Sequence, residues 1–271
     1  MRTAQFRLLL TGVIVAVLSG AVYANHSWGG YHWARTSNEF TLKTGDNVSA
    51  VWDPYLDEAI GDWNASTVLD LTKVAGGANP KNCRPTAGRI EVCSSRYGKT
   101  GWLGIAQIWV TEGTHITQGV TKLNDTYFAS ATYNTPAWRR IVSCQEIAHD
   151  FGLDHQDETF DNPNLGSCMD YTNAPAGGGT YGPSNEHPNQ HDFDEIVTIY
   201  AHLDTTTTVG AALPNNAPAA MTQIGLDGPG QWGRLVSSSR NGRSQTFELD
   251  FGRGHKVITH VFWADPEHDV Q

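Results

Sequence analysis

The sequence predicts an α+β fold: five strands and three main helices in one domain, followed by a small C-terminal β segment. Three observations predict it. Short runs rich in β-branched residues alternate with turn residues between 39 and 123. Three longer stretches instead carry apolar residues at helical spacing. A stretch rich in Thr, Ala, Asn and Pro, "TTTTVGAALPNNAPAA", then separates these from a tail with its own turn signals.

The elements follow in order. Residues 39–43 begin the first strand. Residues 53–64 read as a helix, with Asp53 as its cap, Pro54 in its first turn, and Leu56, Ala59, Ile60 and Trp63 as one buried stripe. Strands are expected at 68–74 ("VLDLTKV"), 88–93 ("GRIEVC"), 103–110 ("LGIAQIWV") and 115–123 ("HITQGVTKL"). A helix over 137–152 ends at Gly152. Another spans 191–203, where Phe193, Ile196, Val197 and Tyr200 repeat the helical stripe. The domain therefore runs over 25–204 and the linker over 205–228. The tail, 229–271, has turns at Asn241-Gly242 and Gly252–Gly254 and is too short to fold alone, so it should dock on the main domain.

Composition narrows the function classes. The chain has 271 residues and a formal net charge of −10, with no basic cluster, which argues against nucleic acid or anionic membrane as a partner. Arg2 and Arg7 flank the apolar run "LLLTGVIVAVLSGAV", and "VYA" ends it with small residues where a signal peptidase needs them. Residues 1–24 therefore read as a secretory signal peptide. The run is shorter than the ~20 residues of a spanning helix, so a secreted, extracellular monomer without stable membrane association is expected. Export also bears on the 4 cysteines, Cys83, Cys93, Cys144 and Cys168, which can form three pairings. Cys83 and Cys93 bracket a local loop and are paired here, which pairs Cys144 with Cys168.

The chemistry concentrates in "SCQEIAHDFGLDH". Gln145 and His149 stand one helical turn apart and face the same way. Gly152 permits the left-handed backbone of a sharp turn, and His155 follows it. Three side chains can then meet around one cation. Glu146, beside the first of them, is placed to hold a metal-bound water as general base.

This pattern resembles the metzincin clan of zinc endopeptidases, whose signature is H-E-x-x-H-x-x-G-x-x-H followed by a methionine turn. "SCMDY" supplies Met169 and, two residues on, Tyr171. The resemblance covers roughly residues 39–203. It implies a twisted mixed five-stranded sheet with three helices and a single catalytic Zn2+ held by Gln145, His149 and His155 above Met169. It further implies Glu146 as the base and Tyr171 as a stabiliser of the transition-state oxyanion. The strand 104–110 would line the cleft, and an extended peptide substrate would add to it as a further strand. A Cys144–Cys168 bond would fix the methionine turn beneath the metal-binding helix. Residues 25–38 are too few for a folded prodomain and hold no cysteine to block the metal.

Gln145 stands where the clan has histidine, and its amide oxygen is a poorer zinc donor than imidazole. Gln145 can ligate through that oxygen; another histidine can substitute, with His32, His115, His187 and His191 as candidates; or the site is inactive and the fold only binds. The first gives a secreted zinc endopeptidase, the last a metzincin-like binding protein. Blander readings apply elsewhere. Asp157, Glu158 and Asp161 could hold Ca2+ but lack the spacing of a calcium loop. His255 and His260 have packing or surface roles as their default. Trp28, Trp33, Trp102 and Trp109 fit core packing better than a sugar-binding face. Asn25, Asn47, Asn64 and Asn124 head glycosylation sequons.

Overall fold

The computed structural model describes residues 26–266; the expected signal peptide lies outside them. Along the chain come β1 (His32–Trp33), β2 (Phe40–Asn47), α1 (Asp53–Trp63), β3 (Leu69–Ala75), β4 (Ile90–Ser95), β5 (Trp102–Thr111) and β6 (His115–Asn124). Then follow α2 (Pro136–His149), α3 (Gln190–Ile199), the short α4 (Ala219–Gln223), β7 (Arg234–Ser238), β8 (Ser244–Gly252) and β9 (His255–Trp263). Among the described residues no helix is long and apolar enough to cross a membrane.

The expected five-stranded sheet with a separate β tail is corrected by the strand pairing. One 9-stranded sheet runs β3-β2-β4-β6-β5-β9-β8-β7, with β1 added against β6. Strands β3, β2, β4 and β6 are parallel neighbours, whereas β6, β5, β9, β8 and β7 are antiparallel ones. Local patterning gave no reason to join the tail to the sheet. The reason is the edge of β5: its outer backbone groups need partners, and β9 supplies them from Lys256 to Trp263. The strand expected to line an open cleft is therefore an interior strand with every residue buried.

Two cores sandwich this sheet. On one face Leu103 and Ile108 of β5 and Ile258 and Phe262 of β9 pack with Ile141, Val142 and Ile147 of α2 and Leu56 and Trp63 of α1. On the other, Trp102, Ile105 and Trp109 meet Val257, Val261 and Trp232, under Met221 and Leu226 from the 205–228 stretch. The Trp109 indole donates to the Met221 carbonyl at 3.0 Å, and the Gln107 side chain donates to the Leu226 carbonyl at 3.4 Å. The alternation of β9 explains how it serves both layers: successive residues face opposite sides of a strand.

Three helix ends differ from expectation; α3, expected to reach 203, stops at Ile199. Asp53 does not cap α1; Trp52 is the boundary residue, and the Asp53 amide is satisfied by the Ser49 carbonyl at 3.2 Å. Helix α2 is capped by Thr135, which accepts from the Trp138 amide at 3.3 Å. It ends at His149 rather than at Gly152, because the chain tightens there: the Asp150 amide bonds the Ile147 carbonyl and the Phe151 amide bonds Ala148.

Where β2 and β4 pair, the buried Glu91 carboxylate gathers donors from Asn47 at 2.7 Å, Gly77 at 3.2 Å, Arg89 Nε at 2.8 Å and Thr86. Burial pushes its pKa up, but these donors outweigh burial and hold it below the usual carboxylate range. The group's contribution to stability is thus present above the unfolded-state pKa and is lost as pH falls through the lower folded value. Glu91→Ala should cost about 3–5 kcal/mol in urea unfolding near neutral pH, because it strands the Asn47 and Arg89 donors. The deficit should shrink below about pH 4, where the wild-type carboxylate is also being protonated.

Candidate metal centre

The centre is built from α2, the turn that follows it, the 167–171 loop and β9. Gln145, Glu146 and His149 lie on the buried side of α2 and are fully shielded from solvent. Gly152 adopts φ +100°, and a β-carbon there would stand 2.1 Å from the Tyr31 carbonyl oxygen. Only glycine lets the N-terminal segment pass so close, and its Trp28 amide bonds the Gly152 carbonyl at 2.8 Å. Trp28 thereby covers the centre, its ring 5.2 Å from that of His149.

Two disulfides join Cys83 to Cys93 and Cys144 to Cys168. The second ties α2 to the loop carrying Met169 and Tyr171. Beside it, the Gln145 side-chain amide donates to the Cys168 carbonyl at 2.9 Å. That bond fixes which end of the carboxamide is free: Nε2 is spent on the loop, and Oε1 is left over. Met169 is fully buried, its amide held by Ser167 Oγ at 2.9 Å, while its carbonyl accepts from the Gln156 amide at 2.7 Å.

His149 and His155 come together, with ring centroids 4.7 Å apart. His149 Nδ1 donates to the Leu153 carbonyl at 2.7 Å, which leaves Nε2 as a bare lone pair. His155 Nδ1 bonds Glu158 Oε1 at 3.1 Å, and Glu158 also accepts from Ser244 Oγ at 2.9 Å. Glu158, considered above for Ca2+, thus orients a histidine. Asp157 likewise accepts from the Thr159 amide at 2.8 Å and from the Asn162 side chain.

The third histidine here is His260 of β9, whose expected role is packing or the surface. Ring nitrogens of His149, His155 and His260 lie within 4.8 Å of one another, and all three residues are buried. His260 Nδ1 donates to Glu146 Oε2 at 3.1 Å, and its Nε2 meets the Tyr171 hydroxyl at 2.9 Å. One imidazole thus occupies both Glu146 and Tyr171. Gly104 of β5 makes room for Glu146; a β-carbon there would lie 2.9 Å from Glu146 Oε1. The four histidines considered as substitutes lie elsewhere. His32 and His115 gather near Asp204, His187 bonds Asp62 at 2.8 Å, and His191 stacks on His26. A signal for His260 does exist: it stands between Ile258 and Phe262 on the core face of β9, where a polar side chain must have a partner.

Electrostatics follow from this burial. Desolvation raises the Glu146 pKa well above the usual carboxylate range, with only His155 opposing it. Desolvation, then the neighbouring His260 and His155, push His149 far down. Desolvation also lowers His260, with His155 adding to the effect. His155 goes the other way: burial disfavours its charge, but Asp154 and Glu158 raise it to about 9. Burial and the nearby Glu146 raise the Tyr171 phenol.

Buried polar atoms nearly always find partners. Yet Gln145 Oε1, Glu146 Oε1, His149 Nε2 and His155 Nε2 are buried and have no hydrogen-bond partner among the described residues. Gln145 Oε1 and His149 Nε2 offer lone pairs of the kind a divalent cation accepts, and His155 Nε2 offers a third once a cation displaces its proton, so the residues present fit a metal ion.

No family model matches the chain, and no curated protein matches it. Among solved structures, high choriolytic enzyme 1, a hatching enzyme zinc-protease from the medaka fish Oryzias latipes, is similar at 13% identity and a TM-score of 0.35. That match covers 63% of this chain and 94% of the other. At that level of likeness neither family nor activity follows. What the described residues carry is a buried histidine cluster able to hold a metal ion.

Proposed function

We propose that the chain is a secreted zinc endopeptidase of metzincin type, held closed in this conformation by its own C-terminal strand. Gln145 Oε1, His149 Nε2 and His155 Nε2 hold the ion. Glu146 serves as general base, and Tyr171 steadies the oxyanion. The observation that carries this reading is the set of buried, unpartnered atoms on Gln145, Glu146, His149 and His155. They are the donors and the base that the sequence pattern calls for, and each lacks what a hydrated cation supplies. Zinc bound there supplies a Lewis acid and an acidified water. The Gln145–Cys168 bond keeps the amide oxygen turned away from the loop. The Glu158 carboxylate holds the His155 ring in place, as such partners do for metal-binding histidines.

A protein or peptide substrate cannot reach Glu146 while β9 is paired with β5. The reading therefore requires β9 to leave, which also takes His260 off Glu146 and Tyr171. A second reading draws on the same closure: His260 is a permanent ligand, and the chain is a non-catalytic metal-binding protein. Casein digestion decides between them. Hydrolysis that appears after partial opening by limited proteolysis, stops with chelator and returns with zinc is expected. Absence of hydrolysis in every opened form, with zinc still bound, would leave only the second reading.

A further inference from the structure

Away from the α2 centre, three histidines converge on one carboxylate oxygen. His32 lies in β1, and His115, its register partner, is the first residue of β6. His202 and Asp204 follow α3. His115 Nε2 is 3.3 Å from Asp204 Oδ1, His32 Nε2 is 3.5 Å from it, and His202 Nε2 is 3.6 Å from it. His32 and His202 face each other through their Nε2 atoms at 3.1 Å. His32, His202 and Asp204 each bring a ligand atom within 4.8 Å of the other two.

We propose that His32, His202 and Asp204 form a second site for zinc or a similar divalent metal, with His115 beside them against the same carboxylate oxygen. Three features of the cluster favour an ion over a self-contained hydrogen-bond network. The first is tautomer chemistry. His32 Nδ1 is 2.9 Å from the Gly30 carbonyl, which can only accept, so Nδ1 carries the proton. A neutral His32 ring then aims a lone pair, not an N–H, at both Asp204 Oδ1 and His202 Nε2. His115 repeats the arrangement, with Nδ1 bonded to Glu112 Oε2 at 3.2 Å and Nε2 toward Asp204. The His32 and His115 lone pairs repel that anionic oxygen unless a cation lies among them.

The second feature is the separation of the donors. Bonds of about 2.0–2.1 Å to a tetrahedral zinc place neighbouring ligand atoms about 3.3 Å apart. The separations here bracket that value. The third is the way Asp204 is held. Its Oδ2 accepts from the Arg35 amide at 3.1 Å and the Arg35 guanidinium at 3.3 Å, and its own amide bonds the Arg35 carbonyl at 2.9 Å. One oxygen is thus fixed by the scaffold, and the other is presented to the three rings. His32 has an outer partner in the Gly30 carbonyl, and the carboxylate has an anchor in Arg35, as metal ligands require. Imidazole with one carboxylate suits zinc better than calcium or magnesium. Such an ion would clip β1 and the start of β6 to the chain after α3.

Zinc alone is the probe, with the full chain dialysed and its metal content measured. Wild type should retain about two zinc ions per chain and the double variant His149→Ala/His155→Ala about one. Adding His202→Ala to that double variant should remove the remaining ion, together with the rise in unfolding temperature that zinc gives its parent. His202 is half exposed, so this variant should fold, as circular dichroism can check. Asp204→Asn offers an independent second change. Cobalt in the double variant should give the strong visible bands of a tetrahedral site, and His202→Ala should abolish them. Zinc content unchanged by both His202→Ala and Asp204→Asn would overturn the proposal. Should the α2 centre hold no metal, wild type would retain one ion that His202→Ala alone removes, so the two readings fail separately.

Discussion

His260→Ala should raise peptide hydrolysis roughly thirtyfold while leaving zinc at the α2 centre. The size follows from what the imidazole holds. Its two hydrogen bonds, to Glu146 and Tyr171, contribute about 1 kcal/mol each to the closed state. Losing about 2 kcal/mol multiplies the population of open molecules roughly thirtyfold, since a tenfold change takes about 1.4 kcal/mol. The variant also leaves both groups unoccupied when β9 departs. Casein hydrolysis and zinc content should be read on the same samples. Loss of one zinc without any gain in hydrolysis would make His260 the third ligand, and the reading of a protease held closed by β9 would have to be given up.

In that opened background Glu146→Ala should abolish activity, by about 10²–10⁴-fold, with zinc retained. Glu146 Oε2 is the partner of His260, and Oε1 is unpartnered. Removing the carboxylate leaves Gln145, His149 and His155 as they are, so metal content separates a lost base from a lost site. Glu146→Gln is the conservative companion, because it keeps the shape beside Gly104 but cannot take a proton. Hydrolysis surviving in either variant would exclude Glu146 as the base.

The parts of this molecule legible in the sequence are those fixed by local spacing. Helical period put Gln145 and His149 on one face of α2. The glycine at 152 announced the turn that brings His155 back. Strand patterning located β3 to β6 to within a residue or two. What could not be read depends on distant pairing. His260 lies 114 residues beyond Glu146, and no spacing rule connects a strand to a helix so far upstream. The sheet was undercounted for the same reason: alternation in "HKVITHVFW" identifies a strand but not its neighbour. That β5 would not remain an edge follows from backbone hydrogen-bond demand, a property of the assembled sheet. The Asp53 cap failed because the Trp52 carbonyl accepts from the Tyr55 and Leu56 amides, the donors an Asp53 side chain would have taken.

The antiparallel register of β5 and β9 turns the closed form into a template for inhibitors. His260 stands opposite Ala106, Ile258 opposite Ile108, and Phe262 opposite Gly104. A short synthetic strand bearing an imidazole flanked by two apolar side chains at alternate positions carries the same set of contacts. Stapled into an extended shape, such a mimic would compete with the native tail for one berth. Its grip would measure how firmly the chain holds its own lock.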